Sequence, residues 1–392
     1  MVDWAGLVLK CSYYYGHVIG LTNFEFDWAT GRVYTSQRST VYAMCMGVMY
    51  PVLLVYRCVG RAKINLMFEK ANMLHEYVMV LVRGLRIVAG LSTLIGRWQK
   101  RRRVMGLTRS VFRLFRERPE VLLMCRRGIL VKVFIGVVTD SLHVLFSVDT
   151  MGSHMDTGLL IGQFLMYSLT SIVNLAVAQH SLTMLFLRAR YQLLNRELRQ
   201  VIDESSGLSH RPPRRGVFIC RCCCLADRLD AIASQQGKLQ AMVVQIGQVF
   251  AIQGLLVYSG YYLSTVAVGY LTYSIFKNGP EALGITPMGL VLIAVWCCFY
   301  YTDALLNLFV MLNILEEHKA TARLLEERTL FAEGLDVRLE QAFESLQLQL
   351  IRNPLELNIM QIFPVTRGST TAMFGSVLTH CIFLIQYDME HF

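Results

Sequence analysis

The segment LTHCIFLIQYD, close to the end of the chain, carries polar side chains inside an apolar stretch. At helical spacing, one face carries Thr379, Ile382, Phe383 and Gln386. An amide that faces lipid is costly, so Gln386 is expected to face protein or water. Two interpretations stay open. The polar residues form hydrogen bonds between helices, or they line a pore in which amides face hydrated cations and Phe383 closes the path by dewetting.

Four charged residues lie mid-way along other apolar stretches: Arg83, Arg86, Asp140 and Asp303. Each alone would cost at least about 2.5 to 3.5 kcal/mol at the centre of a bilayer, so each is expected to have a partner or to contact water. Arg83 and Arg86 share a helix face. We predict a salt bridge from one of these arginines to Asp303 or Asp140.

A membrane-spanning helical bundle is needed to position these residues. Apolar residues make up 54% of the 392-residue chain and charged residues 17%, and the mean hydropathy is +0.42. Apolar stretches of about 20 residues recur, each long enough to cross a hydrocarbon core of about 30 Å. We predict an all-α integral membrane protein with seven transmembrane helices, at residues 40–56, 73–95, 128–148, 159–187, 242–274, 288–312 and 370–387.

Lysine and arginine are distributed unevenly between the two sides of this bundle. Thirty of them fall in the N-terminal segment and the segments after the second, fourth and sixth spans, and five fall on the other side. The basic side is expected to be cytoplasmic, which predicts a cytoplasmic N-terminus and an extracellular C-terminus. A net charge of +10 on the face that meets anionic lipid needs no nucleic acid to explain it.

The polar segment before the last span has a helical pattern of its own. Its apolar stripe consists of Leu335, Leu339, Phe343, Leu346 and Leu350. Neighbouring cytoplasmic helices or an identical subunit would cover this stripe. We divide the chain into an N-terminal segment with a six-helix transmembrane bundle at 1–312, a cytoplasmic helical anchor region at 313–369, and the seventh helix with a short extracellular tail at 370–392.

Signatures of other functional classes are not found in the sequence. The nine histidines are dispersed without metal-ligand spacing, and no phosphate-binding glycine loop occurs. We therefore predict no enzymatic activity, no metal and no cofactor. A secondary transporter would commonly show internal repeats, and we find no repeated half. The CRCCC cluster at 220–224 lacks zinc-ligand spacing, which leaves reduced thiols or reversible palmitoylation as its interpretations.

The C-terminal run FESLQLQLIRNPLELNIMQIFPVTRGSTTAMFGSVLTHCIFLIQYD resembles the signature of insect gustatory receptors. In that signature the last span reads Thr-Tyr, five apolar residues, Gln-Phe. This chain has Thr379 and His380, then CIFLI, then Gln386 and Tyr387. The resemblance extends over essentially the whole chain, and it is closest to the divergent fruit-fly receptors associated with bitter taste.

The resemblance implies a ligand-gated, non-selective cation channel that is a homo- or hetero-tetramer in the plasma membrane of gustatory neurons. Its partners would be the lipid bilayer and a small-molecule tastant, expected to be a bitter compound. Gln386 and Phe383 would form the pore constriction, with Ile382 and Thr379 on the same face. The cytoplasmic helices would make the main contact between subunits. The alternatives are a seven-helix receptor coupled to G proteins, which the predicted cytoplasmic N-terminus opposes, and a secondary transporter.

The resemblance also implies a pocket for a small molecule within each subunit. An aromatic ring with one hydrogen-bonding atom would offer an amphipathic ligand a large contact area and one directional contact. The candidates are His143, Tyr167, Tyr258, Tyr261, Tyr262, Tyr270 and Trp296. The alternative for each is packing between helices or a place in the aromatic belt at the membrane interface.

Overall fold

The computed structural model describes residues 4–59, 73–151, 157–210, 213–279, 286–328, 335–360 and 363–391. In these ranges the chain is almost entirely helical. The helices are α1 (Trp4–Val18), α2 (Gln37–Val59), α3 (Met73–Gln99), α4 (Arg101–Glu117), α5 (Glu120–Met151), α6 (Thr157–His210), α7 (Arg215–Asn278), α8 (Pro287–Arg328), α9 (Val337–Arg352) and α10 (Arg367–His391). Two short antiparallel hairpins pair β1 (Glu25–Phe26) with β2 (Val33–Tyr34) and β3 (Asn358–Ile359) with β4 (Phe363–Pro364).

Within the described ranges, six helices are long and apolar enough to cross a membrane: α2, α3, α6, α7, α8 and α10. The predicted helical membrane protein is thereby confirmed. The predicted third span, 128–148, lies inside α5, which packs against α6 and α8 but is not one of these six. The count of seven spans and the orientation of the termini stay predictions. Three of the charges on the less basic side, Arg61, Lys63 and Lys70, lie outside the described residues.

Three helices are far longer than one bilayer crossing requires. The lengths of α6, α7 and α8 are 54, 64 and 42 residues. At 1.5 Å per residue α7 extends over about 96 Å, compared with about 30 Å for a hydrocarbon core. The predicted fourth and fifth spans, 159–187 and 242–274, are therefore only parts of α6 and α7. The predicted division between 312 and 313 falls inside α8, so no change of element marks it.

The extra length forms a second packed region, which we call the extension bundle: residues 188–210, 215–241 and 313–328 together with α9. Its core includes Leu198, Leu229 and Ile314. Asp336 starts α9, because its side chain accepts a hydrogen bond of 3.0 Å from the backbone N–H of Arg338. Four residues of the predicted stripe, Leu339, Phe343, Leu346 and Leu350, lie on α9 and are buried mainly against α7. The fifth, Leu335, precedes α9 and is partly buried against the same core. Helices of the same chain, and not a second subunit, therefore cover the stripe.

The other packed region, which we call the span bundle, consists of residues 157–187 of α6, 242–278 of α7 and 287–312 of α8, together with α2, α3, α5 and α10. It is organised around α6. This helix packs against α3, α5, α7 and α8. Gly90 allows α3 to approach closely, because a Cβ atom there would lie 2.9 Å from Cβ of Leu169 and 3.2 Å from its carbonyl oxygen. Small residues commonly permit such contacts between membrane helices. This close packing holds α3 and α6, two of the helices that line the internal cavity of the span bundle.

Candidate functional site

A cavity of about 60 Å³ lies inside the span bundle, among α3, α5, α6, α7 and α8. Three of the predicted ligand-binding residues line it: His143, Tyr261 and Trp296. Two of the predicted intramembrane charges, Arg86 and Asp140, line it as well. The structure thus brings together candidates that are more than 200 residues apart in the sequence.

One wall of the cavity is a stack of a cation and two aromatic rings. The guanidinium carbon of Arg86 lies 5.3 Å from the ring centroid of Trp296, a distance at which a cation is attracted to the ring. Trp296 stacks on Tyr300 with 4.9 Å between centroids and 16° between planes. Tyr261 completes the wall, 5.1 Å from Tyr300. Within the described part of the chain, the Arg86 guanidinium makes no ion pair and no hydrogen bond.

Another wall carries Asp140 on α5. Its Oδ1 accepts a hydrogen bond of 2.7 Å from Nδ2 of Asn174, and its Oδ2 accepts one of 3.3 Å from Oγ of Ser171. Both donors are neutral, and no lysine or arginine of the described residues lies within ion-pair distance of this carboxylate. Two more lining atoms, Oγ1 of Thr170 and Nδ1 of His143, are buried with no hydrogen-bond partner in the described ranges.

The predicted salt bridge from Arg83 or Arg86 is wrong. Asp303 pairs with Lys132 of α5, whose Nζ lies 2.5 Å from Oδ1, and Asp140 is held by the neutral donors described above. The physical reason is that α5 packs directly on α8, which brings Lys132 to Asp303. Arg86, on α3, instead makes a cation–π contact with Trp296. Arg83 lies half-buried on α3, one turn before Arg86.

The remaining ligand-binding candidates do not line the cavity. Tyr167 stacks on His143 with 6.3 Å between ring centroids. Tyr258 donates a hydrogen bond of 3.2 Å to Sδ of Met311. Tyr262 and Tyr270 instead connect α7 to α10. Tyr300 lines the cavity but is not among the sequence-predicted residues. Its position four residues after Trp296, on the same helix face, is the signal that could have identified it.

One face of α10 packs on α7 through polar contacts. The hydroxyl of Tyr262 lies 2.8 Å from Nδ1 of His380, and the hydroxyl of Tyr270 donates a 2.9 Å hydrogen bond to Oδ1 of Asp388. Lys277 pairs with Oδ2 of Asp388 at 3.1 Å. Asp388 is completely buried, so its carboxylate belongs to the contact between the two helices. His380 replaces the aromatic residue of the last-span signature. Its hydrogen bond with Tyr262 is one of the contacts that hold α10 against α7.

The opposite face of α10 is uncovered in a single chain. Ile382 and Phe383 are 55% and 63% exposed, and Thr379 and Gln386 are exposed as well. Among the residues that the structure describes, none forms a hydrogen bond with the side-chain amide of Gln386. The four residues predicted to share a face therefore do so, and no other part of the described chain covers them.

Comparison with known proteins shows which family the chain belongs to. Residues 9–391 match the family model described as 7tm Chemosensory receptor. Three Drosophila melanogaster proteins, named gustatory receptors 36a, 36b and 36c, are 47%, 46% and 48% identical to the chain over 392 residues, which is the full length of each. The chain belongs to the insect gustatory receptor family. The predicted family is thus confirmed. Membership of this family establishes that the chain is a multi-pass membrane receptor and not an enzyme.

The gustatory receptor also shares its fold with an insect olfactory receptor. Its TM-score is 0.69 to the structure of OR5 from Machilis hrabei and 0.67 to that of OR5 in complex with eugenol. The aligned regions cover 97% of both chains in the first case, and 98% of this chain and 100% of the other in the second. Identity is 12% and 13%, so this likeness establishes the fold alone.

Proposed function

We propose that this gustatory receptor is a ligand-gated, non-selective cation channel in which four copies of α10 line a central pore. The observation that carries the proposal is the uncovered face of α10 formed by Thr379, Ile382, Phe383 and Gln386. A helix inside a membrane leaves an amide uncovered only where it meets another chain or water. A pore at the symmetry axis of a tetramer supplies both.

The residues of this face suit a gate. Phe383 and Gln386 are less than one helical turn apart, about 4.5 Å along the axis. A ring of four phenylalanines closes a narrow pore by dewetting, and a ring of four amides offers oxygen atoms to hydrated cations. Because an amide carries no net charge, we expect little selectivity among monovalent cations.

The cavity is the proposed ligand site, and α7 connects it to the pore. Tyr261 lines the cavity, and its neighbour Tyr262 contacts Ser376 and His380 of α10. A ligand that shifts α7 at Tyr261 would therefore move a residue that holds α10. An olfactory receptor of this fold has been solved in complex with eugenol, which supports a small-molecule ligand here. Bitter tastants and the membrane of gustatory neurons are the setting that we infer from the family resemblance.

The test is whole-cell current from cells that express the chain, alone and with related receptors, during application of a tastant panel. We expect Gln386→Ala to change relative cation permeability and Gln386→Arg to suppress inward current, because a ring of four positive charges repels cations. The matched control is Phe374→Ala, which alters a residue of α10 that is 54% exposed and, nine positions before Phe383, lies half a turn around the helix from it. This control should conduct like the unchanged chain.

Two results would contradict the proposal. Ligand-evoked currents that are the same with glutamine, alanine and arginine at position 386 would remove α10 from the pore. A current that disappears when G-protein signalling is blocked inside the cell would favour a receptor coupled to G proteins.

A further inference from the structure

We propose that the cavity binds a small dipolar compound, one that carries both an ammonium group and a carboxylate, as free amino acids do. This inference rests on the proposed function of the cavity as the ligand site. It follows from two charges of opposite sign, Asp140 and Arg86, that line one small cavity and have no charged partner among the described residues.

The negative charge is only partly satisfied. Asp140 accepts hydrogen bonds from Asn174 and Ser171, and an ionised carboxylate has about four lone-pair sites. A carboxylate removed from water is costly unless a cation pairs with it. An ammonium group carries one positive charge and three N–H donors, which matches what Asp140 lacks.

The positive charge is also incompletely satisfied. The ring of Trp296 attracts the Arg86 guanidinium as a cation. An aromatic ring is not a strong hydrogen-bond acceptor, however, so the N–H groups at the edge of the guanidinium gain no strong hydrogen bond from Trp296. A guanidinium has five N–H donors in a fixed plane, and its best partner is a carboxylate that accepts two of them in parallel. A ligand carboxylate is therefore the group that completes this site.

The two charges do not neutralise each other. They belong to different helices: Arg86 lies on α3, which packs against α6 and α7, and Asp140 lies on α5, which packs against α6 and α8. The contrast with Lys132 and Asp303 is informative, because that pair closes to 2.5 Å on adjacent helices of the same bundle. Arg86 and Asp140 instead line the same cavity without forming an ion pair with each other, so a ligand with both charges could pair with both residues.

The size and lining of the cavity agree with a small dipolar ligand. A volume of about 60 Å³ is room for roughly four to six water-sized groups. Thr170 and His143 offer further hydrogen-bonding atoms that are otherwise unpartnered in the described residues. Val82, Leu85 and Val173 provide an apolar surface for a short aliphatic body. A ligand with a single charge would leave Arg86 or Asp140 without a partner.

The first test measures ligand binding to the purified full-length chain through thermal stabilisation in detergent. The probes are L-alanine, L-valine and γ-aminobutyrate, each compared with its N-acetyl form, which lacks the ammonium, and its methyl ester, which lacks the carboxylate. We expect stabilisation by at least one dipolar probe. Its affinity should fall at least about 30-fold when either charge is removed, because each loss leaves one charge of the site unpaired.

The second test pairs each charge of the ligand with its residue. In Asp140→Asn, the chosen amino acid and its N-acetyl form should bind equally. In Arg86→Gln, the amino acid and its methyl ester should bind equally. Asp149→Asn is the matched control, because Asp149 is a carboxylate on the same helix that accepts a hydrogen bond from Thr286 outside the cavity. It should retain the affinities of the unchanged chain.

Three outcomes decide the question. If no dipolar probe stabilises the chain up to about 10 mM, or if the N-acetyl form binds the unchanged chain as tightly as its parent, the inference is overturned. Stabilisation by a dipolar probe without any evoked current would support this inference and contradict the channel. Currents evoked only by uncharged compounds, and altered by substitutions at Gln386, would support the channel and overturn the dipolar ligand.

Discussion

Lys132 of α5 and Asp303 of α8 form an ion pair inside the span bundle, with 2.5 Å between Nζ and Oδ1. Asn307 completes the arrangement. Its Oδ1 accepts a hydrogen bond of 2.9 Å from Lys132, and its Nδ2 donates one of 3.2 Å to Oδ2 of Asp303. The side chains of Lys132 and Asp303 are only 6% and 18% exposed, so each charge depends on the other for stabilisation.

Removing one partner of this pair should destabilise the receptor more than removing both. Lys132→Met leaves Asp303 buried without a cation and is expected to lower the free energy of unfolding by about 3 to 5 kcal/mol. Replacing both residues, Lys132→Met with Asp303→Leu, should recover most of that loss, because no unpaired charge remains. Melting temperatures in detergent test this. A double variant no more stable than Lys132→Met would show that the pair is not the main interaction.

The close contact between α3 and α6 predicts different outcomes for two glycines on one helix. Gly90→Ala places a Cβ atom against Cβ and the carbonyl oxygen of Leu169, so the helices must separate, at a cost of about 1 to 3 kcal/mol. Gly84→Ala is the matched control, because no atom lies within 4 Å of its added Cβ. It should be neutral or stabilising by about 0.5 to 1 kcal/mol. Equal melting temperatures for the two variants would refute the contact.

The buried carboxylate of Asp388 should keep α10 on α7. Asp388→Asn removes the charge that pairs with Lys277 and weakens the hydrogen bond from Tyr270, so the end of α10 should open more often. Hydrogen exchange of the last two turns of α10 measures this, and we expect at least about 10-fold faster exchange. Glu390→Gln, at an exposed position, is the control. Identical exchange in both variants would contradict a role for Asp388 in this contact.

The environment of His17 leads us to expect that the folded chain becomes less stable at acidic pH. Its Nε2 lies 2.8 Å from the hydroxyl of Tyr13, which also accepts a 2.8 Å hydrogen bond from the backbone N–H of Phe26 and so connects α1 to the first hairpin. Burial lowers the pKa of His17 from its usual 6.5. The unfolded chain therefore binds more protons, and this contribution is present above about pH 6.5 and is lost as pH falls through the lowered pKa.

Melting temperatures at about pH 7.5 and pH 5.5 check this prediction. The unchanged chain should lose more stability between the two values than His17→Gln does. His210→Gln is the control, since His210 is exposed near the end of α6. If His17→Gln and the unchanged chain show the same pH dependence, His17 does not contribute to it.

The helical face of α10 is the part of the site that sequence reasoning placed best. Its residues share one element, so the 3.6-residue period alone determines that Gln386 and Phe383 lie together. The cavity was predicted less completely. His143, Tyr261 and Trp296 belong to different helices, and only the packing of α5, α7 and α8 brings them to one place.

The charge pairing was wrong for the same reason. Sequence position placed Arg86 and Asp303 mid-way along their spans but did not determine the rotation of the helices, which decides that Asp303 pairs with Lys132. The spans predicted at 159–187 and 242–274 are only parts of α6 and α7. Hydropathy falls where these helices leave the apolar stretches, yet the helices continue, because the extension bundle buries residues such as Leu198 and Leu229.

Disulfide cross-linking between subunits tests the central claim most directly, because it needs no ligand. Phe383→Cys and Phe374→Cys are expressed separately in membranes and oxidised, with the unchanged chain as the background for the native cysteines. Phe374 is 54% exposed and lies half a turn around α10 from Phe383. If α10 faces copies of itself across a pore, Phe383→Cys should give covalent dimers above that background and Phe374→Cys should not. Cross-linking at 374 alone, or at neither position, would contradict a pore lined by the face of Phe383 and Gln386.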